Sequence, residues 1–169
     1  MTNILVKSLR NSDNPRVINV NSEGHRFGNV KINDLGFNKR LYSGLRSYGA
    51  SKTAQLHCMY ILKDILVKDN ITINSMHPGA VRSNIGSHSG RLYNFYMNNV
   101  LKFFLKDPKI SANALYYLGV SPDMLGVSGN FYNLTNKEIP APHGQKSNFS
   151  VEVYNKSCEL TEVGGYGDK

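Results

Sequence analysis

The chain has 169 residues, the size of one ordinary domain, and its 40% hydrophobic content excludes a disordered or low-complexity protein. The formal net charge of +8 comes from Lys and Arg residues that are dispersed along the sequence, so the basic arm or stripe of a nucleic-acid binder is absent and that partner is not expected. The apolar run at the N-terminus, within residues 1–7, is too short for a signal peptide, and no apolar run of about 18 residues occurs, so we expect neither secretion nor a membrane span. Cys58 and Cys158 lack the spaced neighbours of a zinc or redox site, so we expect a cytoplasmic protein with reduced thiols and no metal.

Three elements are predicted in the first part of the chain. Residues 1–10 place apolar side chains at helical spacing and indicate the last turns of an amphipathic helix. Arg16–Asn21 is a short β-branched run bounded by turn residues, which favours a buried strand. After a polar loop with several glycines, Tyr48–Lys68 regains helical periodicity and is the longest predicted helix.

The second part begins with a strand at Ile71–Met76, which His77-Pro78-Gly79 ends because proline and glycine stop a ladder. Leu92–Lys106 is amphipathic and aromatic. We expect it to pack on the core, with a lid over an apolar cleft or a peripheral membrane contact as alternatives. The remaining predicted elements are a helix at Ser111–Leu118, a strand at Val127–Leu134 and a final helix at Glu152–Thr161.

This alternation of strands and helices predicts an α/β protein. Three strands that alternate with helices favour parallel pairing with right-handed crossovers, and with helices flanking the sheet. We expect residues 1–163 to form one folded unit and residues 164–169, which are rich in glycine, to form a disordered tail.

A phenol and an ammonium lie one helical turn apart in Tyr48-Gly-Ala-Ser-Lys52. A cation held near a tyrosine favours the phenolate and lowers the phenol pKa toward neutrality, which would let the phenol exchange a proton with an alcohol or ketone. The spacing alone is weak, since an aromatic at a helix entry followed by a solvated lysine gives the same pattern. Ser22 strengthens it, because its hydroxyl follows the first strand, at the sheet edge where open α/β sheets bind ligands.

Four blocks in this order resemble the short-chain dehydrogenase/reductase family, in particular its retinol-dehydrogenase-like branch. The blocks are Arg16-Val-Ile-Asn-Val-Asn-Ser22-Glu-Gly-His25, Tyr48-Gly-Ala-Ser-Lys52, Asn74-Ser-Met-His77-Pro78-Gly79-Ala80-Val81-Arg82-Ser83 and Gly126-Val-Ser-Gly-Asn-Phe-Tyr132. The resemblance covers nearly the whole chain and corresponds to the C-terminal half of the family. It implies a partial Rossmann-like, doubly wound sheet that contributes its last three parallel strands.

The resemblance also implies roles for individual residues. Tyr48 would be the catalytic acid/base, Lys52 would lower its pKa and hold the nicotinamide ribose, and Ser22 would orient the substrate oxygen. The segment that contacts the nicotinamide of NAD or NADP would comprise Pro78, Gly79, Val81 and Ser83. The expected substrate is a small apolar alcohol or carbonyl compound.

Two departures from the family matter. Asn21 stands where the family usually has a serine, and we expect little effect. The family's first strand and Gly-rich turn, which grip the pyrophosphate, would precede Met1, and no Gly-x-x-x-Gly-x-Gly follows a strand in this sequence. We therefore expect a truncated chain, a split gene or a misplaced start codon, with poor dinucleotide binding and no turnover by the chain alone.

Two other interpretations stay open. A non-enzymatic remnant could associate with another protein or with a second copy through the 48–68 helix. A basic nucleic-acid binder, the least favoured interpretation, predicts salt-sensitive binding to DNA.

Overall fold

The structure is a computed structural model that describes residues 1–79 and 107–163. Within these residues the helices are α1 (Thr2–Leu9), α2 (Gly44–Leu66), α3 (Pro108–Val120) and α4 (Phe149–Thr161). The strands are β1 (Arg16–Val20), β2 (Thr72–His77), β3 (Phe131–Asn133) and β4 (Asn136–Glu138).

The four strands form one sheet in the order β1-β2-β3-β4. β1 pairs with β2 in parallel, with Arg16 opposite Thr72 and Val20 opposite Met76, and β3 adds to β2 in parallel. These pairings confirm the predicted α/β class with three parallel strands. The short β4, which the sequence did not predict, pairs antiparallel with β3 and forms the other edge of the sheet.

Helices cover both faces of the sheet, as a parallel sheet requires. On one face, α1, α2 and α4 pack against β2 in a buried cluster of Val6, Met59, Leu62, Leu66, Ile71, Ile73 and Tyr154. On the other face, α3 packs against β2 and β3 in a cluster of Met76, Ala114, Leu118, Met124 and Tyr132. The apolar periodicity of the sequence identified the core face of α2 in part, through Ala50 and Leu62, but it was wrong for α1, where Ile4 and Leu5 are exposed and Val6 is buried.

Several predicted boundaries were wrong for local reasons. α2 begins at Gly44 rather than at Tyr48, so Tyr48 lies inside the first turns of the helix. The predicted strand Val127–Leu134 contracts to Phe131–Asn133, because Gly126 and Gly129 adopt φ values of +69° and +78° that turn the backbone. α3 starts early, at Pro108, where Asp107 accepts a hydrogen bond from the Lys109 amide at 2.8 Å and caps the helix.

The amphipathic segment Leu92–Lys106 and the 164–169 tail lie outside the described residues. Among the described helices, none has the length and apolar character that a membrane span requires.

Candidate active site

Ser22 lies just beyond β1 and begins the 3₁₀ turn Glu23–Phe27. Its Oγ accepts a hydrogen bond from the Gly24 amide at 3.0 Å, and its own amide donates to Asn21 Oδ1 at 2.7 Å. The acceptor capacity of the hydroxyl is thus partly used by the turn. Its proton can still be donated to a ligand oxygen, because a hydroxyl both donates and accepts.

The Ser22 turn packs against the start of α2 through glycines. A Cβ at Gly49 would lie 2.6 Å from the Gly24 carbonyl oxygen and 2.7 Å from the Gly28 nitrogen, and a Cβ at Gly28 would lie 2.2 Å from the Arg46 carbonyl oxygen. Real side chains do not fit at such distances, so backbone contacts backbone here. This close approach fixes the distance between the turn that carries Ser22 and the helix that carries Tyr48.

Tyr48 and Ser22 meet around Gly24. A Cβ built on Gly24 would lie 2.6 Å from Tyr48 Cε1 and 3.2 Å from Ser22 Oγ, so both side chains border the same small space. Tyr48 is 47% exposed and therefore open to a ligand. The structure thus brings together two of the three side chains that the sequence predicted to be catalytic.

Lys52 lies one turn after Tyr48 on α2. Its Nζ is 5.7 Å from the centroid of the Tyr48 ring and donates a hydrogen bond to the Val20 carbonyl at 3.1 Å. The ammonium therefore bridges the first turns of α2 and the end of β1. Its contact with Tyr48 is over the ring face, at a distance within the range of a cation–π interaction.

Asn21, which follows β1, also connects the end of β1 with α2. It is buried, and its Nδ2 donates to the Lys52 carbonyl at 2.9 Å and to Gln55 Oε1 at 2.8 Å, while its Oδ1 accepts from the Ser22 amide. The sequence treated Asn21 only as a departure from the family. In the structure its side chain bonds to both the Ser22 amide and the Lys52 carbonyl, and so fixes the Ser22 turn relative to α2.

His25, a residue that the sequence did not single out as functional, supports the Ser22 turn. It is fully buried, its Nδ1 lies 2.9 Å from the Ser22 carbonyl, and its Nε2 accepts from the Ala141 amide at 3.1 Å. Because Nε2 accepts, the ring proton is on Nδ1 and is donated to Ser22. Burial lowers the pKa of His25 below its usual value. A neutral imidazole thus links the Ser22 turn to the loop after β4.

Two further histidines extend this link. His143 Nε2 lies 2.8 Å from the His25 carbonyl, and the His143 carbonyl lies 3.0 Å from His57 Nε2 on α2. His57 Nδ1 is 2.9 Å from the Ser150 hydroxyl on α4, and burial lowers the pKa of His57. Such contacts have no local sequence pattern, since they join residues that are far apart in the chain.

Pro78 and Gly79 follow β2 at the same end of the sheet as the Ser22 turn. Gly79 has a φ of +76°, and Ser111 at the start of α3 donates to the Pro78 carbonyl at 2.5 Å. The structure therefore places these two predicted nicotinamide contacts on a turn held by α3. Val81 and Ser83, the other two, lie outside the described residues.

A charged cluster borders this turn. Glu23, His77 and Glu138 bring potential metal ligand atoms within 4.8 Å of one another, with His77 Nε2 3.1 Å from Glu23 Oε2, and Arg26 pairs with both glutamates. However, His77 Nδ1 accepts from the Gly79 amide at 3.1 Å, so a neutral His77 carries its proton on Nε2. In this arrangement the ring is a proton donor toward the carboxylates and does not offer a lone pair to a metal.

Known proteins resemble the chain over nearly its whole length. It is 27% identical over 164 residues to human retinol dehydrogenase 13, covering 95% of this chain and 50% of the relative. It is 30% identical over 165 residues to human retinol dehydrogenase 14, covering 96% and 48%, and 29% identical over 176 residues to human polyprenol dehydrogenase, covering 96% and 51%. The chain therefore spans about half the length of these relatives. No protein-family model matches it.

Two solved structures share the fold. An uncharacterised protein from Mycobacterium Paratuberculosis superposes with a TM-score of 0.60 at 19% identity, covering 88% of this chain and 50% of that chain. The angucycline C-6 ketoreductase LanV, solved with bound NADP, superposes with a TM-score of 0.51 at 22% identity, covering 73% and 44%. At these identities the superpositions establish the fold alone.

Proposed function

We propose that this chain, a member of the short-chain dehydrogenase/reductase family, supplies the catalytic and nicotinamide-binding part of an NAD(P)-dependent oxidoreductase that acts on an alcohol or carbonyl group. The observation that supports this most directly is the meeting of Ser22 and Tyr48 around Gly24, with Lys52 one turn further along α2. These are the residue types that the chemistry needs, at the carboxyl end of a parallel strand.

In the proposed reaction Tyr48 is the acid/base. For alcohol oxidation, the phenolate form of Tyr48 takes the hydroxyl proton as the carbon gives up its hydride, and for carbonyl reduction the phenol returns that proton to the oxygen. The Ser22 hydroxyl donates a hydrogen bond to the same oxygen and holds it near the phenol. The Lys52 ammonium, which lies over the face of the Tyr48 ring, supplies a positive charge beside the phenol.

The cofactor, when bound, accepts or delivers the hydride at its nicotinamide ring. The residues present fit one end of it: Lys52 would hold the ribose, while Pro78 and Gly79, with Val81 and Ser83 beyond the described part, would contact the nicotinamide. No Gly-x-x-x-Gly-x-Gly, the turn that binds the pyrophosphate in the family, occurs in the sequence. We therefore propose that turnover requires such a segment in addition to this chain.

The test compares the chain alone with the chain joined to the remainder of a relative. The purified chain is incubated with NADH or NADPH and a panel of aldehydes, ketones and alcohols, and we expect no turnover. The same assay is then run with the part of human retinol dehydrogenase 14 that lies outside the matched region fused ahead of Met1, and we expect cofactor-dependent turnover. Tyr48→Phe should abolish it, whereas Tyr42→Phe, an exposed control, should not. Turnover that survives Tyr48→Phe would refute the assignment.

A non-enzymatic remnant is the second candidate, and the sequence's lack of a pyrophosphate loop is what favours it. It predicts that the fused protein also fails to turn over every substrate tested, and that the chain binds a partner through α2. Part of that helix already packs on α4 and on the Ser22 turn, so only its outer side would be available.

A further inference from the structure

His77, the last residue of β2, is a buried histidine to which the proposed reaction assigns no role. It is 6% exposed, and its ring stacks on that of Phe131 in β3 with centroids 5.8 Å apart and an angle of 21° between the planes. Phe131 is itself buried and meets the His25 ring edge-on, with centroids 5.0 Å apart. Packing on β3 therefore fixes the plane of the His77 ring, and with it the directions in which its two nitrogens point.

The Nδ1 atom of His77 holds the turn that follows β2. It accepts a hydrogen bond from the Gly79 amide at 3.1 Å, two residues along the chain. Gly79 has a φ of +76°, in the left-handed region that glycine adopts without strain. The Pro78 carbonyl between them accepts from Ser111 of α3. The turn is thus held from two sides, by the His77 ring and by α3.

The Nε2 atom of His77 faces the turn that carries Ser22. It lies 3.1 Å from Glu23 Oε2 and 3.8 Å from Glu138 Oε2. Because Nδ1 accepts, a neutral ring carries its proton on Nε2, toward these carboxylates. Arg26 pairs with both glutamates and so fixes the carboxylate that His77 meets. Glu23 directly follows Ser22, so one ring joins the Ser22 turn to the turn after β2.

We propose that His77 is a positioning residue that couples the Pro78-Gly79 turn to the Ser22 turn and so fixes the nicotinamide relative to the substrate oxygen. The proposal rests on the proposed function for the nicotinamide contact of Gly79 and for the substrate contact of Ser22. His77 itself acts through the Gly79 amide and the Glu23 carboxylate. Hydride transfer needs reacting atoms about 3–3.5 Å apart and aligned, so a small displacement of either turn slows the chemical step.

Two replacements of His77 separate its two contacts in the protein fused to the remaining part of human retinol dehydrogenase 14. In His77→Asn, the asparagine oxygen can accept from an amide two residues later, as it does in turns, but the ring nitrogen that faces Glu23 is lost. His77→Leu loses both contacts. We expect kcat to fall by roughly 10²-fold in His77→Leu and by less in His77→Asn.

The Michaelis constants separate positioning from a merely structural role. The KM for NADPH should stay unchanged in both variants, which is the pattern of an interaction that acts in the transition state. A structural role alone would lower the amount of folded enzyme or its stability and leave the kcat of the folded enzyme unchanged. Tyr116→Leu, at a residue of α3 that is 71% exposed, is the control and should change neither constant.

Glu23→Ala breaks the same link from its other end. The Glu23 side chain is 43% exposed, so this variant keeps the core intact even if His77→Leu does not fold. Glu23→Ala alone should lower kcat. It should have no further effect in the His77→Asn background, because that variant has already lost the contact with Glu23. Decreases in kcat that multiply, or wild-type kcat in both single variants, would overturn the proposal.

NMR of the chain alone tests the link without turnover. Long-range ¹H–¹⁵N spectra should show His77 in the Nε2–H tautomer. Relative to the Gly129 amide, which donates to the Ile73 carbonyl at the other end of β2, the Gly79 amide should exchange about tenfold faster in His77→Leu than in the wild type. An Nδ1–H tautomer, or an unchanged relative exchange rate, would also overturn the proposal.

The two experiments keep this proposal distinct from the proposed function. If the fused protein turns over no substrate, the proposed function fails, and the NMR result alone decides whether His77 holds the Gly79 turn with its proton directed at Glu23. If the fused protein is active and the His77 variants keep the wild-type kcat, only the positioning role is overturned.

Discussion

Lys52 Nζ donates a hydrogen bond to the Val20 carbonyl at 3.1 Å, which ties the helix that carries Tyr48 to the end of the strand that precedes Ser22. The lysine therefore has a fixed position before any ligand is present. The same lysine lies over the face of the Tyr48 ring and donates a hydrogen bond to the carbonyl of Val20, the last residue of β1. This double role links the proposed chemistry to the geometry of the sheet edge.

Replacing Lys52 by methionine should reduce turnover by the fused enzyme by about 10²- to 10⁴-fold, the range typical of lost proton-transfer assistance. The methionine keeps most of the apolar stem but removes the positive charge that lies over the Tyr48 ring. The measurement is kcat with NADPH and a carbonyl substrate. Lys68→Met, an exposed lysine beyond the end of α2, is the matched control and should leave kcat unchanged. Equal rates for the two variants would exclude an electrostatic role of Lys52.

Gly49→Ala should destabilise the chain by about 1–3 kcal/mol, as overpacking does in a tight core. The new methyl group would lie 2.6 Å from the Gly24 carbonyl oxygen, and the gain in helix propensity, about 1 kcal/mol, does not offset that clash. Urea unfolding followed by circular dichroism measures the change. Gly119→Ala in α3 is the control, because no atom lies within 4 Å of its Cβ position, and it should stabilise the chain by about 0.5–1 kcal/mol.

Asn21→Ala should cost about 1–3 kcal/mol in the free energy of unfolding, since it leaves the half-buried Ser22 amide without its acceptor and removes two hydrogen bonds that the buried Asn21 side chain donates. Asn113→Ala, at an exposed position of α3, should change the free energy by no more than about 0.5 kcal/mol. The midpoints of urea unfolding of the two variants, compared with that of the wild-type chain, measure the stability lost in each. Equal midpoints would mean that Asn21 does not hold the Ser22 turn.

The stability of the chain should fall as the pH is lowered below about 6.5, the ordinary pKa of histidine. Burial lowers the pKa of both His25 and His57 in the folded state, so the unfolded chain binds protons at a pH where the folded chain does not. Their contribution is therefore complete above about pH 6.5 and is lost as the pH falls through the folded-state values. Urea midpoints between pH 8 and pH 5 measure this slope.

His57→Gln isolates one of the two groups. A glutamine amide can still donate to the His143 carbonyl but does not titrate, so the variant should show a shallower loss of stability below pH 6.5 than the wild-type chain. A slope equal to that of the wild type would show that His57 is protonated at the same pH in the folded and unfolded states.

Much of the fold could be predicted from local patterns. The β-branched runs at 16–21 and 71–76 and the long helical periodicity gave the α/β class and the parallel sheet, because those patterns report burial on a regular element. The grouping of Ser22 with Tyr48 was predicted through the family resemblance, since the Tyr48–Lys52 spacing alone is weak and the helix starts at Gly44 rather than at Tyr48. β4 was missed because Asn136–Glu138 is three polar residues long and exists only through its pairing with β3.

The residues that hold Ser22 and Tyr48 in position could not be predicted from local patterns. Asn21, His25 and Gly49 each have at least one partner 25 or more residues away, and no spacing rule encodes such contacts. The glycines illustrate the difficulty: Gly44 meets nothing within 4 Å, whereas Gly49 touches two backbone segments. Only the tertiary structure distinguishes a glycine that starts a helix from one that allows two backbones to touch.

The histidine chain has a consequence for the order in which the protein folds. His143 bonds to a carbonyl 118 residues earlier and accepts from a ring 86 residues earlier, so the Ser22 turn gains its last supports only from the C-terminal quarter of the sequence. On a ribosome, Ser22 and Tyr48 would leave the exit tunnel long before residues 141–150 are made. In the nascent chain, the Ser22 turn would therefore lack its contacts with residues 141–150, and the position of Ser22 beside Tyr48 would be stabilised only near the end of synthesis.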